Sequence, residues 1–571
     1  MNFIMSLPDV ILDIPEGGIL ISRSLKMLAA GAVAVLVAVS LAACSSVEVP
    51  RDLASYQAQS IKWDSCDSDL LMEAERQSAA FKSSEVDCAT VLAPAVYTGE
   101  QDIKDFKLQM MRVHKAKSAD FMGTIFINPG GPGGSGVEQV QYSNFPDELL
   151  AHYDIIGFDP RGVGASKFAD GSEIKCSDKL DFVTYFSGEA TPANEQEAMS
   201  YQESNDAYYK DCIKRNPLWW TMSTDHVVED LELMRQVVTG DEPLNFIGSS
   251  YGTTIAGIYV TKYPEHVGKV VLDSPTTVEA DTIESDIEDA KAIEKKLNIY
   301  LSNYAKHAKI TEEEAWQRLL DVRQQADNDL VYGFAGIEPG PGDMGMVSSE
   351  YLLTRGILAL NYMPEEDAIK EFNAALDDLY QYAWNARFEW YSFNMDGYDA
   401  NELEGSSLAA KKFVRSNEFE VMTIVNTMDF APAEKSSAER KKNYELVKAA
   451  APKWNKLNSD STGYEYFGEY KGLSWDSIAR ADSAIPDPPT EPLARTNTSG
   501  KELLIVGATR EAVTPFSFSK DTAKQLKSPL IAVDSSTHGP AAGYSIPCLN
   551  KILVKFFTTD EKVKSQSCPG S

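Results

Sequence analysis

The sequence predicts an α/β fold in which a largely parallel sheet is split by a long helical insertion. Three observations predict it. Short apolar runs alternate with helix-like segments from residue 89 to residue 275. That alternation then gives way to charged, helix-forming sequence as far as about Gly500. Two more apolar runs follow, at residues 503–506 and 530–533.

In chain order, residues 89–93 and 106–110 read as early strands. Residues 124–128 and 153–158 are short apolar runs, each ending in a glycine-containing turn. Residues 225–238 carry Val227, Val228, Leu231, Met234, Val237 and Val238 at helical spacing. Residues 244–247 form the next strand, followed by a helix-like segment to Lys262 and a strand at 270–272. In the insertion, Thr311 and Glu314 form a capping box, and Pro364 stands at another helix start. Residues 386–420 fit no pattern, and 484–500 are rich in Pro, Thr and Ser, as a boundary would be.

The chain has 571 residues with 53 Lys+Arg against 85 Asp+Glu, a formal net charge of −32. That balance argues against nucleic-acid binding, which needs a basic face to displace phosphate counterions. A 43% apolar content supports a large core and excludes wholesale disorder.

Arg23 and Lys26 precede an uncharged apolar run that ends Leu41-Ala42-Ala43-Cys44. A basic flank, an apolar stretch and small residues describe a secretory signal. The Cys after the small residues resembles the lipobox of bacterial lipoproteins. The expectation is a signal peptide at 1–43, a lipid-modified Cys44 that anchors the chain to a membrane, and a tether at 44–60. The location expected is extracytoplasmic, on a bacterial cell surface. Six further cysteines remain, an even number that suits disulfides outside the cytoplasm. Proximity in sequence favours Cys66 with Cys88, Cys176 with Cys212, and Cys548 with Cys568. No CxxC or HExxH motif marks a metal site.

Gly248-Ser249-Ser250-Tyr251-Gly252 matches G-x-S-x-G between a strand and a helix. A nucleophile on such a strained turn needs small neighbours, and helix N-terminal N–H groups favour developing negative charge. This points to Ser250 as nucleophile, with Ser249 structural. The loop of residues 128–136 carries five glycines after another strand and suits an oxyanion hole. Gly131, Gly133 and Gly136 also fit a dinucleotide fingerprint, but Pro132 removes a donor and the preceding strand is not the first of the sheet. Of six histidines, His266 and His307 are badly placed for a base, whereas His538 follows the last core strand. The acid is either Glu511 or Asp273, since each follows a core strand.

Together these motifs resemble the tripeptidyl-aminopeptidase branch of the α/β-hydrolases, relatives of the prolyl aminopeptidases. The similar residues are 128–133, 159–166, 248–253, 271–273, the Thr509-Arg510-Glu511 and Thr514-Pro515 stretch, and His538-Gly539. The resemblance implies an α/β-hydrolase core at 61–275 and 501–571 with a mainly helical cap at 276–500. It implies a monomer without a cofactor that holds a peptide by its free N-terminus beneath the cap. Ser250 would attack, His538 would shuttle the proton, and Glu511 would orient the imidazole. The N–H groups of Tyr251 and Gly131, with Gly130, would hold the oxyanion. Asp429 is the candidate partner for the substrate amine. The family has Asp in place of Glu511, Pro in place of Ala512, and paired cap cysteines near Asp429 and Trp475 that this chain lacks. A carboxylesterase of the same fold, or an inactive surface-binding lipoprotein, are the alternatives.

Overall fold

The structure, a computed structural model, describes residues 53–74, 76–97, 104–115, 120–176, 208, 210–277, 283–328, 353, 356–358, 360–381, 417–429, 437–458, 496–497, 500–501, 503–543 and 545–570. By its contacts the chain divides into Met1–Ser55 and Tyr56–Ser571, and the fold below is that of the second unit. The expected signal segment 1–43, Cys44, residues 386–416 and Trp475 lie outside the described residues, as do 484–495 and 498–499.

A ten-stranded sheet forms the centre, in the order β1-β2-β4-β3-β6-β7-β8-β9-β10 with β5 beside β2. Its strands are β1 Glu85–Ala93, β2 Phe106–His114, β3 Gly123–Asn128, β4 Tyr153–Phe158, β5 Lys167–Phe168, β6 Leu244–Ser249, β7 Val267–Asp273, β8 Leu503–Ala508, β9 Leu530–Asp534 and β10 Gln566–Pro569. β2 pairs antiparallel with β1, β4 and β5. From β4 onward every pair is parallel.

The helices are α1 Gly136–Tyr142, α2 Asp147–His152, α3 Thr224–Thr239, α4 Gly252–Lys262, α5 Ile283–Ala308, α6 Glu312–Asn328, α7 Glu365–Tyr380, α8 Glu418–Asp429, α9 Ser437–Ala450, α10 Pro452–Asn458, α11 Phe516–Gln525 and α12 Pro547–Thr558; shorter turns are omitted. The strand period of two sorts the core into two layers. On β8, Leu503 and Ile505 face one layer with Val227 and Leu231 of α3 and Ile255 of α4. Leu504 and Val506 face the other with Val137 of α1, Leu149 of α2 and Phe557 of α12. Burial on both faces explains why these strands read as continuous apolar runs.

α5, α6, α7 and α10 enclose a third, separate core that includes Leu297, Tyr300, Trp316, Phe372 and Trp454. The capping box is formed: Glu314 N–H donates to Thr311 Oγ1 (3.2 Å), and Thr311 N–H to Glu314 Oε2 (2.8 Å). α8 departs from the picture of a uniform insertion, because its Val421, Ile424 and Val425 pack with the sheet's α3 and α4 layer.

Cys66–Cys88, Cys176–Cys212 and Cys548–Cys568 are disulfide-bonded, each between cysteines neighbouring in sequence. The last pins β10, which sequence periodicity does not mark: Gln566–Pro569 has no apolar alternation. Its pairing with β9 comes from tertiary context.

Candidate active site

β6 runs into α4 through Ser250, whose φ of 54° lies in the left-handed region that disfavours residues with a Cβ. The turn is held because the Ser250 N–H donates to the Asp273 carbonyl on the neighbouring strand at 3.0 Å. The flanking glycines answer to close approach. A Cβ on Gly248 would stand 2.3 Å from the Gly252 carbonyl oxygen, and one on Gly252 would stand 2.6 Å from that of Asn128. The elbow thus folds back against its own helix and against the end of β3, whose Asn128 is in register with Gly248.

Glu511 follows β8 and His538 follows β9, so the parallel sheet delivers both to the edge where Ser250 stands. His538 Nδ1 lies 2.7 Å from Glu511 Oε2, and both residues are buried. The carboxylate only accepts, so Nδ1 carries the proton and Nε2 keeps its lone pair. Among the described residues Nε2 has no hydrogen-bond partner, and no bond joins it to Ser250 Oγ. The Thr514 hydroxyl lies 3.4 Å from Nδ1. Insertion residues sit directly on this loop: the His538 N–H donates to Asn361 O at 3.0 Å, and the Tyr362 ring meets the imidazole edge-on, 5.5 Å between centroids.

Asp273 joins the two halves of the site. Its carbonyl takes the Ser250 N–H, and its carboxylate takes the Ala541 N–H at 2.8 Å and the Ser249 hydroxyl at 3.2 Å. Ser249 is thereby a structural residue behind Ser250. Burial pushes the Asp273 carboxyl up to about 7, and the nearby Glu511 charge adds to this. Lys296 of α5 is buried beside the same loop, with Nζ 3.5 Å from Ser536 O. Burial pulls this amine down to about 8.

The loop after β3 lies on the elbow. A Cβ on Gly130 would come within 2.9 Å of both Ser250 Cβ and Tyr251 N, so only glycine fits. One expectation is corrected here. The Gly130 N–H donates to Asn128 Oδ1 at 3.0 Å, so it shapes the loop and is not offered to an oxyanion. Tyr251 opens α4 and Gly131 follows Gly130 at the elbow. Asp159 secures the loop's far end, accepting from Ser135 Oγ (2.5 Å), Val137 N–H (3.1 Å) and Ala165 N–H (2.9 Å). Burial raises its carboxyl to about 6.

Asp429, the expected partner of a substrate amine, has a contact within the chain. Its carboxylate accepts the Thr224 N–H at 2.9 Å and the Thr224 hydroxyl, so it caps α3 and is already engaged. His266 lies against Glu232 at 2.9 Å and His307 against Asp377 at 2.8 Å, each away from the elbow. Among the described residues no group of three His, Cys, Asp or Glu side chains could hold a metal ion.

Sequence reasoning assigns no role of their own to Ser274, Asn128, Asp159 and Thr224. Asn128 ends β3 and Asp159 directly follows β4, and that position is a usable signal. Ser274 and Thr224 carry none, because their roles depend on residues far along the chain.

The model of a family described as alpha/beta hydrolase fold matches residues 123–354, and that of a family described as TAP-like protein matches residues 474–568. A tripeptidyl aminopeptidase of Streptomyces coelicolor is 28% identical over 264 residues, 44% of this chain and 48% of that protein. Serine protease Hip1 of Mycobacterium tuberculosis is 30% identical over 201 residues, 34% of this chain and 36% of that protein. A carboxylesterase B of Mycobacterium tuberculosis is 24% identical over 512 residues, 87% of each chain. The matched stretch spans about half the length of the tripeptidyl aminopeptidase and less of Hip1.

Proposed function

Because the chain belongs to the α/β-hydrolases, in the branch of the tripeptidyl aminopeptidases, we propose that it is a serine exopeptidase releasing short peptides, tripeptides foremost, from free N-termini. The observation that carries this is the buried Glu511–His538 pair, 2.7 Å apart, at the strand ends flanking the strained Ser250 elbow. Ser250 Oγ attacks the scissile carbonyl while His538 Nε2 takes its proton. The N–H groups of Tyr251 and Gly131 receive the oxyanion. His538 returns the proton to the leaving amine, and an acyl-enzyme remains on Ser250. Water, deprotonated by the same imidazole, releases the acid and restores Ser250. Glu511 keeps the imidazole in the required tautomer and stabilises its cation.

The insertion over His538 supports an exopeptidase, since Asn361 and Tyr362 roof the base and restrict approach from that side. Three disulfides support an extracytoplasmic location. The Leu41-Ala42-Ala43-Cys44 stretch supports a lipid anchor at Cys44, on an otherwise monomeric enzyme. A second reading, a carboxylesterase, is favoured by the long alignment with carboxylesterase B. Mass spectrometry of products from a peptide library, with free and acetylated N-termini, separates them. Di- or tripeptides from free termini alone support the exopeptidase. Equal cleavage of acetylated peptides, or turnover of esters only, would reject it.

A further inference from the structure

α8 touches both sides of the oxyanion site. At its start, a Cβ on Gly133 would lie 2.4 Å from the Glu418 carbonyl oxygen, so the helix rests on the loop that carries Gly131. The preceding Asn417 is pinned to the core: its Nδ2 donates to Gly162 O at 2.7 Å and its Oδ1 accepts from Gly164 N–H at 3.1 Å. At its end, Asp429 reaches Thr224, the first residue of α3. Ser223 makes no side-chain cap there, so the Asp429 carboxylate supplies the acceptor from another element, where the helix dipole favours negative charge.

The protons in this contact have a fixed direction. A carboxylate can only accept, so the Thr224 hydroxyl donates to Asp429 Oδ2. The remaining acceptor of that hydroxyl takes the phenol of Tyr251. Tyr251 O–H, Thr224 O–H and Asp429 form one directed chain, in which each bond polarises the next. Its far end is Tyr251, the residue after Ser250, whose N–H is an oxyanion donor in the function proposed above.

We propose that Asp429 is a positioning residue: through Thr224 it fixes the Tyr251 side chain, and so holds the elbow's oxyanion donor in register with the loop under the start of α8. The same helix thus sets both donors, and movement of α8 changes turnover without changing the triad. This rests on the reading of Ser250 as the acylated nucleophile. Displacing a donor costs less than deleting one, which lowers turnover by about 10²–10³.

The test uses the full chain with Asp429→Asn, Thr224→Val, Thr224→Ser, Tyr251→Phe and the Asp429→Asn/Tyr251→Phe pair. Turnover is measured on an aryl ester that lacks an amine and on a free-amine tripeptide anilide, per site counted by exhaustive fluorophosphonate labelling. The expected result is a fall of about 10-fold in kcat on both substrates with KM unchanged. Thr224→Ser should restore turnover, and the double variant should be no worse than its worse parent. Two results would overturn the proposal. One is a raised KM for the peptide with ester turnover intact, which would make Asp429 an amine-binding residue. The other is normal kcat per labelled site with only a lowered Tm, which would make it a plain helix cap. A wild-type chain that neither labels nor turns over either substrate would overturn the hydrolase reading itself, and this proposal with it.

Discussion

Ser274 donates a 2.8 Å hydrogen bond to Oε1 of Glu511, the carboxylate oxygen that His538 leaves unused. The same hydroxyl accepts the Gly539 N–H at 3.1 Å, so one side chain spaces Glu511 from the residue after His538. Ser274 reaches this place with a φ of 50°, just after β7.

Removing that spacer should loosen the acid without discharging it. Ser274→Ala is expected to lower kcat by roughly 10-fold with little change in KM, while Glu511→Gln should lower it by up to about 10⁴. Steady-state kinetics on folded variants check the order. A Ser274→Ala loss that matches Glu511→Gln would mean that the hydroxyl, not the carboxylate, sustains the imidazole.

Asp273 should show itself in stability and its pH dependence. Its folded-state carboxyl titrates near 7, above the unfolded value of about 4. Its contribution is therefore complete below about pH 4 and lost as pH rises through about 7. Asn cannot ionise, so the Tm of Asp273→Asn relative to wild type should climb from pH 4 to pH 8. Thermal denaturation across that range checks it. Parallel curves would show that Asp273 does not titrate there.

Lys296 gives the opposite sign. Its buried amine titrates near 8, below the ordinary lysine value. The folded state favours the neutral amine, so this contribution is present above about pH 10 and lost as pH falls through about 8. Lys296→Met should therefore gain most over wild type at pH 7, and the gain should shrink toward pH 10. Chemical denaturation at both values checks this. A lysine variant that loses stability equally at both would have lost packing alone.

The Cys548–Cys568 bridge closes a separation of 20 residues and ties β10 to α12. Replacing both cysteines by Ser should cost about 2–4 kcal/mol in denaturant unfolding. Peptide mapping without reductant should recover 548 with 568, 66 with 88 and 176 with 212, and any crossed pair would contradict the fold.

Much of this architecture was legible because local and global signals agree at the sheet. Buried parallel strands read as apolar runs, and the Ser250, Glu511 and His538 positions follow such runs directly. β1 and β2 are longer than their apolar centres, since an antiparallel ladder tolerates polar ends such as Glu85 and His114. β10 was invisible because a disulfide and a register with β9, not a pattern, hold it. The Asp429–Thr224 contact is illegible for a similar reason: the two residues lie 205 apart, and no local sequence signal links them. Gly130 was misjudged because a neighbouring Asn128 side chain uses its N–H, which glycine content alone does not reveal.

The central claim is that Ser250 is a nucleophile activated by the His538–Glu511 pair. Fluorophosphonate labelling of the folded chain, mapped by peptide mass spectrometry, tests it most directly. One adduct on Ser250 is expected, absent in Ser250→Ala and strongly slowed in His538→Ala and Glu511→Gln. No adduct on the folded wild-type chain, or an adduct whose rate ignores His538, would contradict it.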